Sequence, residues 1–159
     1  MTNHKNKKIL FAASILLFGA VLYNLAWFVN RNYYTNKCSP RYEFTARNTY
    51  SYYDKSITYS IKVPDYLEFT GNYAVISDDG VCLIIWPDLL KESYTYGAQI
   101  PNEDDVIYAY VNSNAEYIHD DSLNYSNEEE KAVIRLVIKN KTVLQQLLQA
   151  SDSEWDCLS

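Results

Sequence analysis

The chain has 159 residues, 48% of them apolar and 21% charged, with four glycines and four prolines, a composition that excludes a disordered or repeat protein. From Arg31 onward, 11 Lys and Arg stand against 20 Asp and Glu, a net charge of −9 that disfavours nucleic acid and flat contact with an anionic lipid surface. Tyrosine is over-used, 16 residues beside 5 Phe and 3 Trp, which leans toward strands and half-wet surfaces.

Residues 1–8 form a short basic tail holding His4, Lys5, Lys7 and Lys8. Ile9 to Val29 then runs without a charge, interrupted only by Ser14 and Asn24. At about 1.5 Å per residue this stretch is roughly 31 Å long, the thickness of a hydrocarbon core. Tyr23, Trp27 and Phe28 gather at one end, where amphipathic rings settle at the headgroups. A cleavable signal peptide would be shorter and would carry small residues at the cut; here Phe18 or Asn24 falls there. The expectation is therefore an uncleaved signal anchor, a single transmembrane helix over residues 9–29 whose partner is the lipid bilayer. Basic residues are nearly balanced across the span, with a slight excess on the N-terminal side. That excess leans toward a cytoplasmic N-terminus and an extracytoplasmic C-terminal domain at the cell membrane. Ala12, Gly19 and Ala26 recur every seven residues, a stripe through which two anchor helices could self-associate.

Residues 30–41 are polar, contain Cys38 and Pro40, and read as a tether. The domain is expected over residues 42–159. Tyr42 to Lys55 has no clear period and suggests an extended edge segment. In Ser56–Val63 the apolar residues alternate strictly, the mark of a strand with one buried face, ended by Pro64. Tyr73–Ser77, Asp78-Asp79-Gly80 and Val81–Trp86 spell a hairpin, with Asp-Gly in the tight turn. The second arm is apolar throughout, so it is expected in mid-sheet, covered on both faces and stopped by Pro87. Strands are also expected over 94–100 and 106–111, with Asn102–Asp105 as their turn, and a short one near Tyr117–His119.

The period then changes. Ser126 and Glu129 fit a capping box, and Lys131, Arg135 and Lys139 recur at helical spacing beside Val133, Leu136 and Val137. After Asn140-Lys141-Thr142 a second apolar helical face runs to about Ala150. Strands followed by helices give an α+β class: a mainly antiparallel sheet with one or two C-terminal helices packed on it.

Groups capable of chemistry are few. The three cysteines, Cys38, Cys82 and Cys157, lack the spacing of a zinc or redox pair; Cys82 reads as a buried thiol, while a Cys38–Cys157 bridge is allowed in an oxidising space. His119 is the single histidine of the domain, and His119-Asp120-Asp121 superficially resembles the dyad of metal-dependent phosphohydrolases without their further histidines. No phosphate-cradling glycine motif and no nucleophile elbow occur. No catalytic, cofactor-binding or metal-ligating residue is therefore assigned. The acidic turn at Asn102, Glu103, Asp104 and Asp105, and Asp120 with Asp121, hold enough oxygens for a weak calcium site but lack the EF-hand order. Tyr50, Tyr52, Tyr53, Tyr94, Tyr96, Tyr108 and Tyr110 would make an amphipathic binding surface if one sheet face carried them together. The expected function is a non-catalytic, membrane-tethered domain binding a protein or cell-envelope ligand. The alternative is a small hydrolase or divalent-metal-dependent enzyme built on His119 and nearby carboxylates.

Overall fold

The structure is a computed structural model; it describes residues 2–88, 91, 93–103 and 105–158, with side chains from residue 7. Asp104 and the side chains of His4 and Lys5 lie outside the described residues.

An N-terminal helix, α1 (Thr2–Thr35), is long and apolar enough over Lys7–Thr35 to cross a membrane. Eight strands follow: β1 (Glu43–Ala46), β2 (Thr49–Asp54), β3 (Ile57–Lys62), β4 (Asn72–Ser77), β5 (Cys82–Asp88), β6 (Ser93–Asn102), β7 (Asp105–Val111) and β8 (Tyr117–Ile118). Each pairs antiparallel with its neighbour in sequence, so the sheet is an uninterrupted meander. A 3-10 turn (Asp121–Leu123) leads to α2 (Asn127–Lys139) and α3 (Lys141–Trp155). The chain is α+β, as its pattern of periods indicates.

Local chemistry explains the joints. Gly80, at φ +81°, closes the β4–β5 turn by donating to Ser77 O at 2.9 Å. The capping box at α2 is complete: Glu129 N–H donates to Ser126 Oγ at 3.4 Å, and Ser126 N–H to Glu129 Oε2 at 2.8 Å. Asn140 then lies between α2 and α3 without helical dihedrals and separates them.

Both helices cover one sheet face. Ile61, Val63, Tyr73, Val75, Leu83, Ile85, Ala98, Ile100 and Val111 point into that core, against Val133, Val137, Leu144, Leu147, Leu148 and Trp155. The expectation that β5 would be covered on both faces is corrected here: Ile84 and Trp86 point to the other face and stay half-buried. The Trp86 ring lies across Gly97 of β6, where a Cβ would come within 2.7 Å of it. The β5 indole thus covers the neighbouring strand on the face opposite α2 and α3. Nor does Pro87 stop β5, which continues to Asp88. β4 ends its pairing at Ile85, so no neighbour on that side requires the N–H that proline lacks.

The segment read as a tether is helical up to Thr35. The cause lies across the chain, in residues 63–71. Asn30 Nδ2 donates to Phe69 O at 2.8 Å, Arg31 to Pro64 O at 3.2 Å, and Tyr34 Oη to Gly71 O at 3.1 Å. Tyr34 is 2% exposed and its ring lies 5.6 Å from that of Tyr73. Tyr73 in turn stacks on Trp155 at 4.8 Å, and Trp155 meets Tyr59 edge-on at 5.9 Å. Tyr59 stacks on Tyr52 at 4.8 Å, and Tyr52 meets Tyr42 at 4.6 Å. One continuous row of aromatic rings thus links the end of α1 to the end of α3 and the sheet edge. Much of the tyrosine excess is spent on this row.

Candidate functional site

His119 follows β8, and its two ring nitrogens face two carboxylates. Nδ1 lies 2.6 Å from Glu130 Oε1 of α2, and Nε2 lies 3.1 Å from Asp121 Oδ1. Tyr117 Oη donates to the same Glu130 oxygen at 2.9 Å. These bonds hold the imidazole above its ordinary pKa and Glu130 below the usual carboxylate value. Asp120 turns away: its Oδ1 accepts the Ser122 N–H at 2.8 Å as cap of the 3-10 turn. His119 and Asp121 therefore meet, Asp120 does not join them, and Glu130 supplies the third member. Around them lies a shallow depression of about 310 Å³ lined also by Asn124 and Tyr125. The arrangement is a charged clasp between β8 and α2, with both imidazole nitrogens occupied and the Tyr117 hydroxyl bonded to Glu130.

Among the described residues, no group of three or more His, Cys, Asp or Glu has the geometry to hold a metal ion. In the β6–β7 turn, Asp105 Oδ1 accepts the Val106 N–H at 2.7 Å. All three cysteines are free thiols. Burial pushes Cys82 up to about 11 and Cys157 up to about 12, and it raises Cys38 as well. The link between the α1 end and the C-terminal tail is polar rather than a disulfide. Lys37 Nζ donates to Trp155 O at 3.1 Å, and Arg41 pairs with Glu154.

Glu154 is the cluster that sequence reasoning missed. Its carboxylate sits near the C-terminus of α3, the unfavourable end of the helix dipole, yet is largely buried. It is matched there by Arg41 and by the hydroxyls of Tyr42 and Tyr52, each 3.0 Å away. The Arg41 guanidinium also lies over the Tyr52 ring, 4.2 Å from its centroid. Beside it opens a cleft of about 610 Å³ along β1–β3, lined by Glu43, Thr45, Ser51, Tyr53 and Thr58. The partners come from positions 41, 42, 52 and 154, and no local spacing signals that they meet.

The seven tyrosines considered for a shared surface divide between the faces. Tyr50 and Tyr52 pair with Ile61 and Tyr59 on the core side, and Tyr96 with Ile85. Tyr96 Oη donates to Cys157 O at 2.6 Å, and Tyr94 Oη to Asp156 O at 3.3 Å, so both hold the C-terminal tail. Tyr53, Tyr108 and Tyr110 lie on the helix-free face, Tyr53 bonding Asp78 at 3.2 Å. Parity would have divided them: adjacent residues of a strand, such as Tyr52 and Tyr53, must face opposite ways. What remains on the helix-free face is an aromatic patch over β5–β7, with Tyr110 6.3 Å from Trp86 and a small hollow of about 60 Å³ lined by Ile84, Trp86, Gly97, Tyr108, Tyr110 and Leu123.

Compared with protein-family models, curated proteins and solved structures, the chain matches none, so its reading rests on its own geometry.

Proposed function

We propose that this chain is a single-pass membrane protein whose α+β domain, held outside the cytoplasm, binds a protein or cell-envelope ligand and does no catalysis. The observation that carries the reading is the double use of α1. Its stretch from Ile9 to Leu22 is apolar and free of the domain, and its later turns are packed into the domain through Tyr23, Trp27, Asn30, Arg31 and Tyr34. A signal peptide cut at the end of the apolar run would take with it Tyr23 and Trp27, whose side chains donate to Tyr66 O and Asp65 O of the domain. An uncleaved anchor is supported on that ground, beyond length and hydropathy.

Binding is assigned to the helix-free face at Trp86, Tyr108 and Tyr110. Aromatic side chains with an apolar body and a polar tip suit a partner surface, and α2 and α3 pack on the opposite face of the sheet. The enzymatic alternative at His119 is disfavoured because both imidazole nitrogens are engaged in holding β8 to α2. Photo-cross-linkers placed at positions 108 and 110 in intact cells test the assignment, with Arg135 on the exposed side of α2 as control. A discrete adduct from the sheet face, absent from position 135 and lost on Trp86→Ser with the fold intact, is expected. Equal adducts from both faces, or none from 108 and 110, would overturn it.

A further inference from the structure

The apolar part of α1 is too short once the domain's hold on it is counted. A hydrocarbon core of about 30 Å needs about 20 helical residues, which from Ile9 carries the span to about Phe28. The domain already touches the helix at Tyr23. Tyr23 Oη donates to Tyr66 O, Tyr66 Oη donates to Asn24 Oδ1 at 2.9 Å, and Trp27 Nε1 donates to Asp65 O at 2.9 Å. The rings of Tyr66 and Phe69 pack edge-on against Tyr23 at 5.5 and 5.2 Å. Free helix runs only from Ile9 to Leu22, about 14 residues or roughly 21 Å. Either the bilayer thins by about 9 Å, or the segment joining β3 to β4 lies below its surface.

We infer that the loop from Pro64 to Thr70 is a second lipid-contacting segment, with Tyr66, Leu67 and Phe69 seated among the headgroups and upper acyl chains of the leaflet facing the domain. This rests on the anchoring reading and extends it. Leu67 stands at the tip, 84% exposed, with Tyr66 and Phe69 open beside it. Three large apolar side chains on one short loop, against the apolar helix, match a lipid interface better than water. The loop's main chain suits that medium, because side chains of α1 supply donors to the carbonyls of Pro64, Asp65, Tyr66, Phe69 and Gly71. Its two carboxylates are tied back to the domain, Asp65 to Asn48 and Glu68 to Lys62 at 3.8 Å. Contact is therefore through apolar groups, so the acidic charge of the domain does not oppose it on a zwitterionic surface. A domain held at both α1 and the loop sits at a fixed angle to the membrane.

The full chain carrying Cys38→Ser, reconstituted in phosphatidylcholine vesicles, tests this with a nitroxide on Leu67→Cys. Ser56→Cys, at the other end of β3 about 20 Å from Lys62, serves as control. Cys82 and Cys157 are buried and remain unlabelled in the folded protein. Collisions with oxygen, relative to a water-soluble nickel chelate, are expected to be several-fold more frequent at position 67 than at 56, at every protein density. A chain that floats with the vesicles but shows equal ratios at both positions overturns the loop assignment while leaving the anchor intact. Protection of 67 only at high protein density would assign the tip to a second copy and overturn the lipid contact. A chain that fails to float would remove the anchor, and the loop's seat with it.

Discussion

The indole Nε1 of Trp27 donates to the main-chain carbonyl of Asp65 at 2.9 Å, joining the apolar helix to the turn that links β3 to β4. With Asn30 and Tyr34 one and two turns further on, it makes the end of α1 part of the domain's packing. The helix is then a rigid stem, and its loss is a loss of stability.

Tyr34→Ala in the full chain should lower stability by about 3–5 kcal/mol, the range for removing a buried large aromatic. Tyr34→Phe, which keeps the ring and loses only the bond to Gly71 O, should cost about 1 kcal/mol. Gly71→Ala should cost about 1–3 kcal/mol, because a Cβ there would stand 2.6 Å from the Tyr34 ring and 2.7 Å from Lys62 O. Denaturant unfolding in detergent micelles reads all three, and a neutral Tyr34→Ala would show that α1 is not part of the folded unit.

Glu154→Ala should destabilise by about 1–3 kcal/mol, since it leaves the hydroxyls of Tyr42 and Tyr52 without their acceptor. Arg41→Ala should cost less, because Arg41 is half exposed and solvent screens its pair. Melting of the two variants, compared at equal pH and salt, checks the order.

The His119 clasp has a defined pH window. Bonds first to Glu130 and then to Asp121 raise the imidazole above its ordinary 6.5, so its contribution is complete below 6.5 and lost as pH rises through the folded value. Glu130 is lowered from 4.5, chiefly by His119 and Tyr117, so its contribution is complete above 4.5 and lost as pH falls through its folded value. The clasp is fully present between those two ordinary values. Glu130→Gln should bring the His119 titration, followed by NMR, back toward 6.5 and flatten the melting temperature against pH above that point. An unchanged His119 titration would show that the clasp does not form in solution.

Thiol labelling of the native chain should find Cys38 first. It is half-buried, whereas Cys82 and Cys157 are buried and their thiolates are strongly disfavoured. One fast site and two that wait for unfolding are expected; rapid labelling of Cys157 would mean that the C-terminal tail is not docked on Tyr96.

The sheet was legible where local chemistry decides the conformation. Asp79-Gly80 fixes a turn, Ser126 and Glu129 fix a helix start, and the alternation in Ile57–Lys62 fixes a face. Where partners come from far along the chain, the sequence is silent. Nothing near Asn30 announces that Phe69 O will extend its helix, and nothing near Glu154 announces Arg41 and Tyr52. Trp155 lies beyond the apolar face read to Ala150, yet it fills the centre of the core between Tyr59 and Tyr73. At the candidate site, His119 and Asp121 were legible as neighbours, while Glu130 reaches them only through the packing of α2 on β7 and β8.

The most direct test of the anchored account is alkaline carbonate extraction of membranes, followed by the intact mass of the recovered chain. The account predicts that the chain stays in the membrane pellet with residues 9–29 still attached. A folded chain released to the supernatant, its mass short of the first thirty residues, would contradict it.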